Sequence, residues 1–282
     1  MNEIRFPAYR FYEAQRIEAN NSVMALLAGA HLATHTLTLT RGSNHLLPDI
    51  FPNVPHIGRF NLTTSMATTI LENAEPHLAG MSVPYVLAIY EDFVKTSALP
   101  MMVQAGRMTN SNVKDANSGT MHEELMNATS SSLDVHSLEL FHVLRLMRNC
   151  VIHAGGLANR TLADLCSQIA PGSKALWERI TGIDFPSPNA GDLVKLHHAE
   201  IIATLAIVKR LARDVNLLLV RSYPRSLWAE MVARDALQQS SGNLGNPSQA
   251  MRNIKGLARH HYAALNLEEP ELRIAAQTEG VI

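Results

Sequence analysis

Arg148, Asn149 and His153 occur within the segment Leu146-Met147-Arg148-Asn149-Cys150-Val151-Ile152-His153-Ala154-Gly155-Gly156. Imidazole titrates nearest neutrality of all side chains, so it can give or take a proton. Guanidinium is permanently charged and meets phosphate oxygens with a planar fork of donors. An amide between them can orient the ring or bind an oxygen. Together these groups can move protons at a phosphodiester and stabilise charge developing on its phosphorus without a metal.

These side chains must be positioned by a helix. Leu140, Leu144, Met147 and Val151 follow the i, i+4, i+7, i+11 rhythm of a buried stripe. Asn149 and His153, one turn apart, lie on roughly the opposite face. Arg148 falls between the two faces, about 140° from His153 on an ideal helix, and its length lets the guanidinium swing toward the imidazole. Ser132 or Asp134 is a suitable N-cap, and Gly155-Gly156 a stop. Arg145, one turn before Asn149, either extends the phosphate-binding surface or is a solvated helix residue.

An Arg-x4-His spacing is weak evidence by itself: 18 arginines and 13 histidines in 282 residues yield about one accidental match. Requiring asparagine directly after the arginine lowers that expectation to about 0.06. Asn149 and the helix context therefore carry the signal.

At these residues the sequence resembles the HEPN superfamily of small all-α proteins, whose ribonuclease members carry R-x4-6-H, often with a polar residue after the arginine. Arg148-Asn149-x-x-x-His153 matches that pattern, and Ala154-Gly155-Gly156-Leu157-Ala158-Asn159 looks like the sequence that commonly follows. The resemblance covers the motif and the run of helices from about Leu62 to Leu219. It implies a metal-independent endoribonuclease without cofactor, acting as a homodimer in which two motifs form one composite cleft. It also implies catalytic roles for Arg148, Asn149 and His153, RNA ends bearing a 2′,3′-cyclic phosphate and a 5′-hydroxyl, and DNA resistant for want of the 2′-OH. Toxin–antitoxin or antiviral defence is the implied setting, with an antitoxin or regulatory protein as a further partner. Members often place a polar or acidic residue from an earlier helix beside the site; Glu91 and Asp92 fill that description, with Glu91 the supporting residue.

The rest of the chain sets the frame. Apolar residues make up 46% and charged residues 17%, a globular composition. A net charge of -1 excludes bulk attraction to nucleic acid, so RNA must be held by a local basic cleft. Cys150 and Cys166 fit neither a disulfide framework nor a zinc pattern, as expected in a reducing cytoplasm. The segment Met1-Asn2-Glu3-Ile4-Arg5-Phe6 has no signal-peptide pattern, and the most apolar stretch, Ile201 to Val208, ends at Lys209-Arg210. A cytoplasmic protein that does not span a membrane is expected.

Recurrent 3.6-residue periodicity and scarce strand signals, the alternation Leu37-Thr38-Leu39-Thr40 among them, predict an all-α fold: a HEPN-like bundle with helical extensions. Residues 1–61 form an N-terminal helical segment, Pro7 to about His31, and a connection rich in proline and glycine. Residues 62–220 form the bundle, and residues 221–282 a C-terminal helical extension. Within the bundle, Pro84 is placed in the first turn of a helix to Thr96, and Pro100 stops it. A polar loop runs from Thr109 to Gly119, Thr120 and Glu123 form a capping box, and a long helix spans Asp192 to about Leu219. Beyond Pro224, helices at Ser226 to Gln239 and Pro247 to Leu265 are joined by the polar linker Ser240 to Asn246.

His197-His198 and His260-His261 lack the partners of a metal site, and His122-Glu123-Glu124 lacks the second histidine of a metalloprotease. Arg252, Lys255 and Arg259 make a basic stripe at i, i+3 and i+7, either a solvated face or an RNA-docking surface. The competing function is a non-catalytic helical module binding RNA, a nucleotide or another protein.

Overall fold

In the computed structural model, which describes residues 3–40, 42–240, 242 and 244–282, helices follow one another and no strand forms among the described residues. In chain order they are α1 (Pro7–Leu37), α2 (Leu47–Ile50), α3 (Thr64–Glu72), α4 (Ala74–Phe93), α5 (Leu99–Gln104), α6 (Asn110–Asp115) and α7 (Met121–Thr129). Then come α8 (Val135–His153), α9 (Arg160–Gln168), α10 (Pro171–Thr181), α11 (His198–Ser222), α12 (Arg225–Gln239), α13 (Pro247–His261) and α14 (Glu269–Thr278). The all-α expectation therefore holds.

The centre is α11. Ile201, Ala203, Leu205, Ile207, Val208, Leu211, Ala212, Val215 and Leu219 are all buried along it, as in a helix enclosed by others. It packs on α4, α8 and α10, while α1 lies against α4 and α3. The segment before α1 anchors the N-terminus: Phe6 meets Trp228 edge-on at 5.5 Å, and Tyr12 stacks on Phe93 at 5.0 Å. Fully buried Asn216 accepts from the Ile4 amide at 3.0 Å and donates to the Ile4 carbonyl at 2.7 Å. One hydrophobic core thus runs through residues of all three predicted segments, from Ile4 to Ala276.

Several boundaries differ from expectation, each for a local reason. The first helix continues to Leu37, and Thr38–Thr40 is a 3-10 turn rather than a strand. Pro84 lies inside α4 rather than in its first turn; it leaves the Gly80 carbonyl without its i+4 donor, a cost that burial of Val83, Val86, Leu87 and Tyr90 offsets. Pro100 does not stop the run. A π-turn at Val94–Ala98 already breaks the i→i+4 ladder, so Pro100 sits harmlessly in the first turn of α5.

The polar loop contains the short helix α6, capped by the Thr109 hydroxyl. Thr120 caps nothing in α7; its hydroxyl instead accepts from the Asn117 amide. The long helix begins at His198, because residues 191–194 are drawn out to pair with the segment after the motif. The last helix, α14, escaped the sequence reading, although Pro270 in its first turn and buried Leu272, Ala275 and Ala276 mark it. Ser241 and Asn243 of the polar linker, and Met1 and Asn2 of the N-terminal segment, lie outside the described residues.

Pro7–Thr40 is long and apolar enough to cross a membrane, and 17% of its most apolar window is buried.

Candidate functional site

The motif helix α8 is specified at both ends. Asp134 caps it, its Oδ1 accepting from the Ser137 amide at 2.9 Å and from the Ser137 hydroxyl. Leu140, Leu144 and Met147 are buried as predicted, together with Phe141, Val143, Leu146 and Cys150, and Val151 is half-buried. At the far end Gly155 and Gly156 both take positive φ, +59° and +82°. The Gly156 amide returns to the Cys150 carbonyl at 3.0 Å, closing the last turn.

A clasp then fixes the chain beyond. The Val194 amide donates to Gly156 O at 2.7 Å, the Ala158 amide to Asp192 O at 2.8 Å and the Gly191 amide to Ala158 O at 2.8 Å. A Cβ on Gly156 would stand 3.2 Å from Leu193 Cδ1, so glycine is required there twice over, by conformation and by contact. Asn159 closes the segment by capping α9.

Arg148 does not swing toward His153. Its Nη2 donates to Glu91 Oε1 of α4 at 3.0 Å, with the two side chains only 16% and 14% exposed. Ser118 Oγ donates to the other carboxylate oxygen at 2.7 Å. Arg148 Nη1 makes no hydrogen bond, and Nε is buried without one. Glu91, the predicted supporting residue, is thus the direct partner of the motif arginine, whereas Asp92 is exposed. The reason is reach: Arg148 faces between the buried stripe and the solvent face, and the α4 carboxylate is the closest compensation for a charge so little hydrated.

Asn149 is half-buried and makes no side-chain hydrogen bond; His153 is exposed and makes none either. Within one chain, therefore, Arg148 and Glu91 are brought together, and Asn149 and His153 stand free beside them on the last turns of α8. Ile152, Leu157 and Leu193, about half exposed each, rim this face.

Arg145 continues the site inward. Its Nε donates to His142 Nδ1 at 3.4 Å, and its guanidinium lies against Gly119. Burial, and then the charge of Arg145, pushes His142 down to about 4, so at neutral pH the ring is uncharged and able to accept. Burial and the Arg148 charge likewise lower Arg145, opposed by Glu91. Behind them His122 pairs through Nε2 with the Tyr90 hydroxyl at 2.8 Å and is pushed down to about 3, chiefly by burial. Ser118 and His142 were not singled out in the sequence, and His122 was weighed there only for a metalloprotease pattern. The spacing His142-x2-Arg145-x2-Arg148 was the available signal for one of them; Ser118 was hidden in a loop whose fold only packing defines.

Among the described residues no three His, Cys, Asp or Glu side chains come together as ligands. His197 lies 4.0 Å from Glu75, and His260 and His261 meet edge to face at 4.4 Å. Both cysteines are buried and unbridged. No protein-family model, curated protein or solved structure matches this chain.

Proposed function

We propose that the chain is a metal-independent, HEPN-type endoribonuclease whose active cleft forms between two copies. The observation that carries this reading is the end of α8: half-buried Asn149 and exposed His153 make no side-chain hydrogen bond, beside an arginine held in place by Glu91. A charged fork fixed on one side and free on Nη1 is suited to a phosphate oxygen. Unengaged polar groups bordered by exposed Ile152, Leu157 and Leu193 suit a face that a second copy completes.

The chemistry balances with two imidazoles. His153 takes the proton of the ribose 2′-OH as that oxygen attacks phosphorus. The bond from phosphorus to the 5′-oxygen breaks, and His153 of the partner subunit protonates the departing oxygen. Arg148 stabilises the charge on the pentacoordinate phosphorus, and Asn149 orients a ring or an oxygen. The products are a 2′,3′-cyclic phosphate and a 5′-hydroxyl. A role in a toxin–antitoxin pair or in antiviral defence, in the cytoplasm and under an antitoxin or regulatory protein, belongs to the same proposal.

The test is incubation of purified protein with mixed RNA in EDTA. Cleavage should persist, leave cyclic phosphate ends, spare DNA, and vanish in His153→Ala with helicity unchanged. No cleavage, or cleavage abolished by EDTA, overturns the proposal, as does a monomer under active conditions. One observation favours a second reading, a non-catalytic binding module: Arg148 is engaged by Glu91 and makes no hydrogen bond to His153. That reading expects His153→Ala to retain full function.

A further inference from the structure

The basic stripe of α13 faces a groove that the proposed chemistry does not use. Between α13 and α14 a groove of about 560 Å³ is lined by Arg252, Lys255, Arg259 and Arg273 beside Met251 and Gly256. It continues into a second hollow of about 440 Å³ that shares Lys255, Arg259 and Glu269 and ends at Asn266 and Leu267. Four cations face a single carboxylate, Glu269, in a chain whose net charge is -1. Lys255 and Arg273 both bind that carboxylate, at 2.7 and 3.2 Å. Arg252 and Arg259 are exposed and have no acidic partner.

We infer that this groove binds the phosphate backbone of single-stranded RNA, taking RNA as the ligand because it rests on the ribonuclease reading. From Arg252 to Arg259 the helix rises about 10 Å, enough for these cations to meet successive phosphates of one extended strand. Gly256 has no atom within 4 Å of where a Cβ would stand, so the floor between the cations is open to a bulky chain. Tyr262, the aromatic residue lining the groove, is 1% exposed and is closed to base stacking. Recognition is thus of phosphates and independent of base sequence.

The helices of the groove pack on α12, not on the motif helix. The groove therefore captures strands away from the reaction cleft and raises their local concentration there. A net-negative protein needs such a local device to hold its substrate at all.

The experiment reads binding apart from cleavage. Fluorescence anisotropy follows a labelled 2′-O-methyl oligoribonucleotide, which has no free 2′-OH to attack phosphorus, on the intact protein. With about three phosphate contacts, affinity should fall roughly 20-fold between 50 and 200 mM salt, at a slope of about -0.7 per contact. The triple variant Arg252→Gln, Lys255→Gln, Arg259→Gln should lose at least tenfold in affinity and flatten the salt slope by about 2. Arg252→Lys with Arg259→Lys should stay within a few-fold of the parent. Neutralising exposed Arg59, Arg107 and Lys114, with helicity as the folding check, should change affinity less than twofold.

No binding by the parent at low salt overturns the inference. So does a triple variant that folds and binds as the parent does, or displacement of the strand by polyglutamate as readily as by unlabelled RNA. Because the probe cannot be cleaved, loss of the ribonuclease reading leaves this result legible, and the reverse also holds.

Discussion

Arg148 occupies a position where charge is expensive, and Glu91 is what makes it tolerable. With both side chains about 15% exposed, removing the carboxylate leaves a guanidinium that is neither paired nor hydrated. Glu91→Ala should therefore destabilise the fold by about 2 kcal/mol, and Glu91→Gln by less, measured by urea unfolding. If the two changes Glu91→Ala and Arg148→Ala prove additive in a double-mutant cycle, the pair is not coupled and this account fails. The histidines behind them set an acid limit. His142 and His122 fold with their protonation pushed down to about 4 and about 3 from an ordinary 6.5. A base depressed in the folded state contributes stability that is complete above about pH 6.5 and is lost as pH falls toward those lower values. Unfolding midpoints should thus drop between pH 6.5 and 4, and His142→Gln should show a shallower decline. His153 and Arg148 were legible because their spacing is local and their residue types are specific to the chemistry. Ser118 was not, because its contact with Glu91 spans 27 residues and depends on how a polar loop folds back.

The elements that hold the site are governed by their ends. Asp134 is the sole side-chain cap of α8 and also meets Arg210 at 3.6 Å. Asp134→Ala should cost about 1 kcal/mol, read as a lower thermal midpoint with little change in helicity. Gly156→Ala should cost more than Gly155→Ala. Both positions have positive φ, but only at 156 does the new methyl press on Leu193 and the chain that donates from Val194. A cost of about 1–2 kcal/mol is expected at 156; equal losses at the two glycines would mean that the clasp is unimportant. The cap, the buried stripe and the stop of α8 were readable because each is a short-range choice. Pro84 and Pro100 were misread for the converse reason. A proline disfavours a helix interior by about 3 kcal/mol; at Pro84 tertiary burial around Val83 and Leu87 outweighs that preference, and at Pro100 a π-turn removes the cost by making it a first-turn residue.

At the scale of the molecule, α1, α12 and the end of α13 are bound together by one buried carboxylate. Asp235, 2% exposed, accepts a two-pronged bond from Arg10 at 2.7 and 2.9 Å and another from the Tyr262 hydroxyl at 2.8 Å. These bonds hold its protonation below the ordinary carboxylate range against the opposing effect of burial. Asp235→Ala should cost about 3–5 kcal/mol, since it strands both partners, and hydrogen exchange should accelerate in α1 and α13 together. Acceleration in only one of them would show that the tie is not shared. The sequence by itself determined the all-helical character, the limits of the motif helix and the residues that could do chemistry on it. Periodicity, capping residues and glycine stops act within a few residues and are written locally. Only the tertiary structure decided that Arg148 meets a carboxylate 57 positions earlier, that residues of the two terminal segments share the core of the middle, and that a basic stripe opens on a groove. Those outcomes follow from the angles at which packed helices cross, and such angles are set by side-chain volumes from distant parts of the chain acting together.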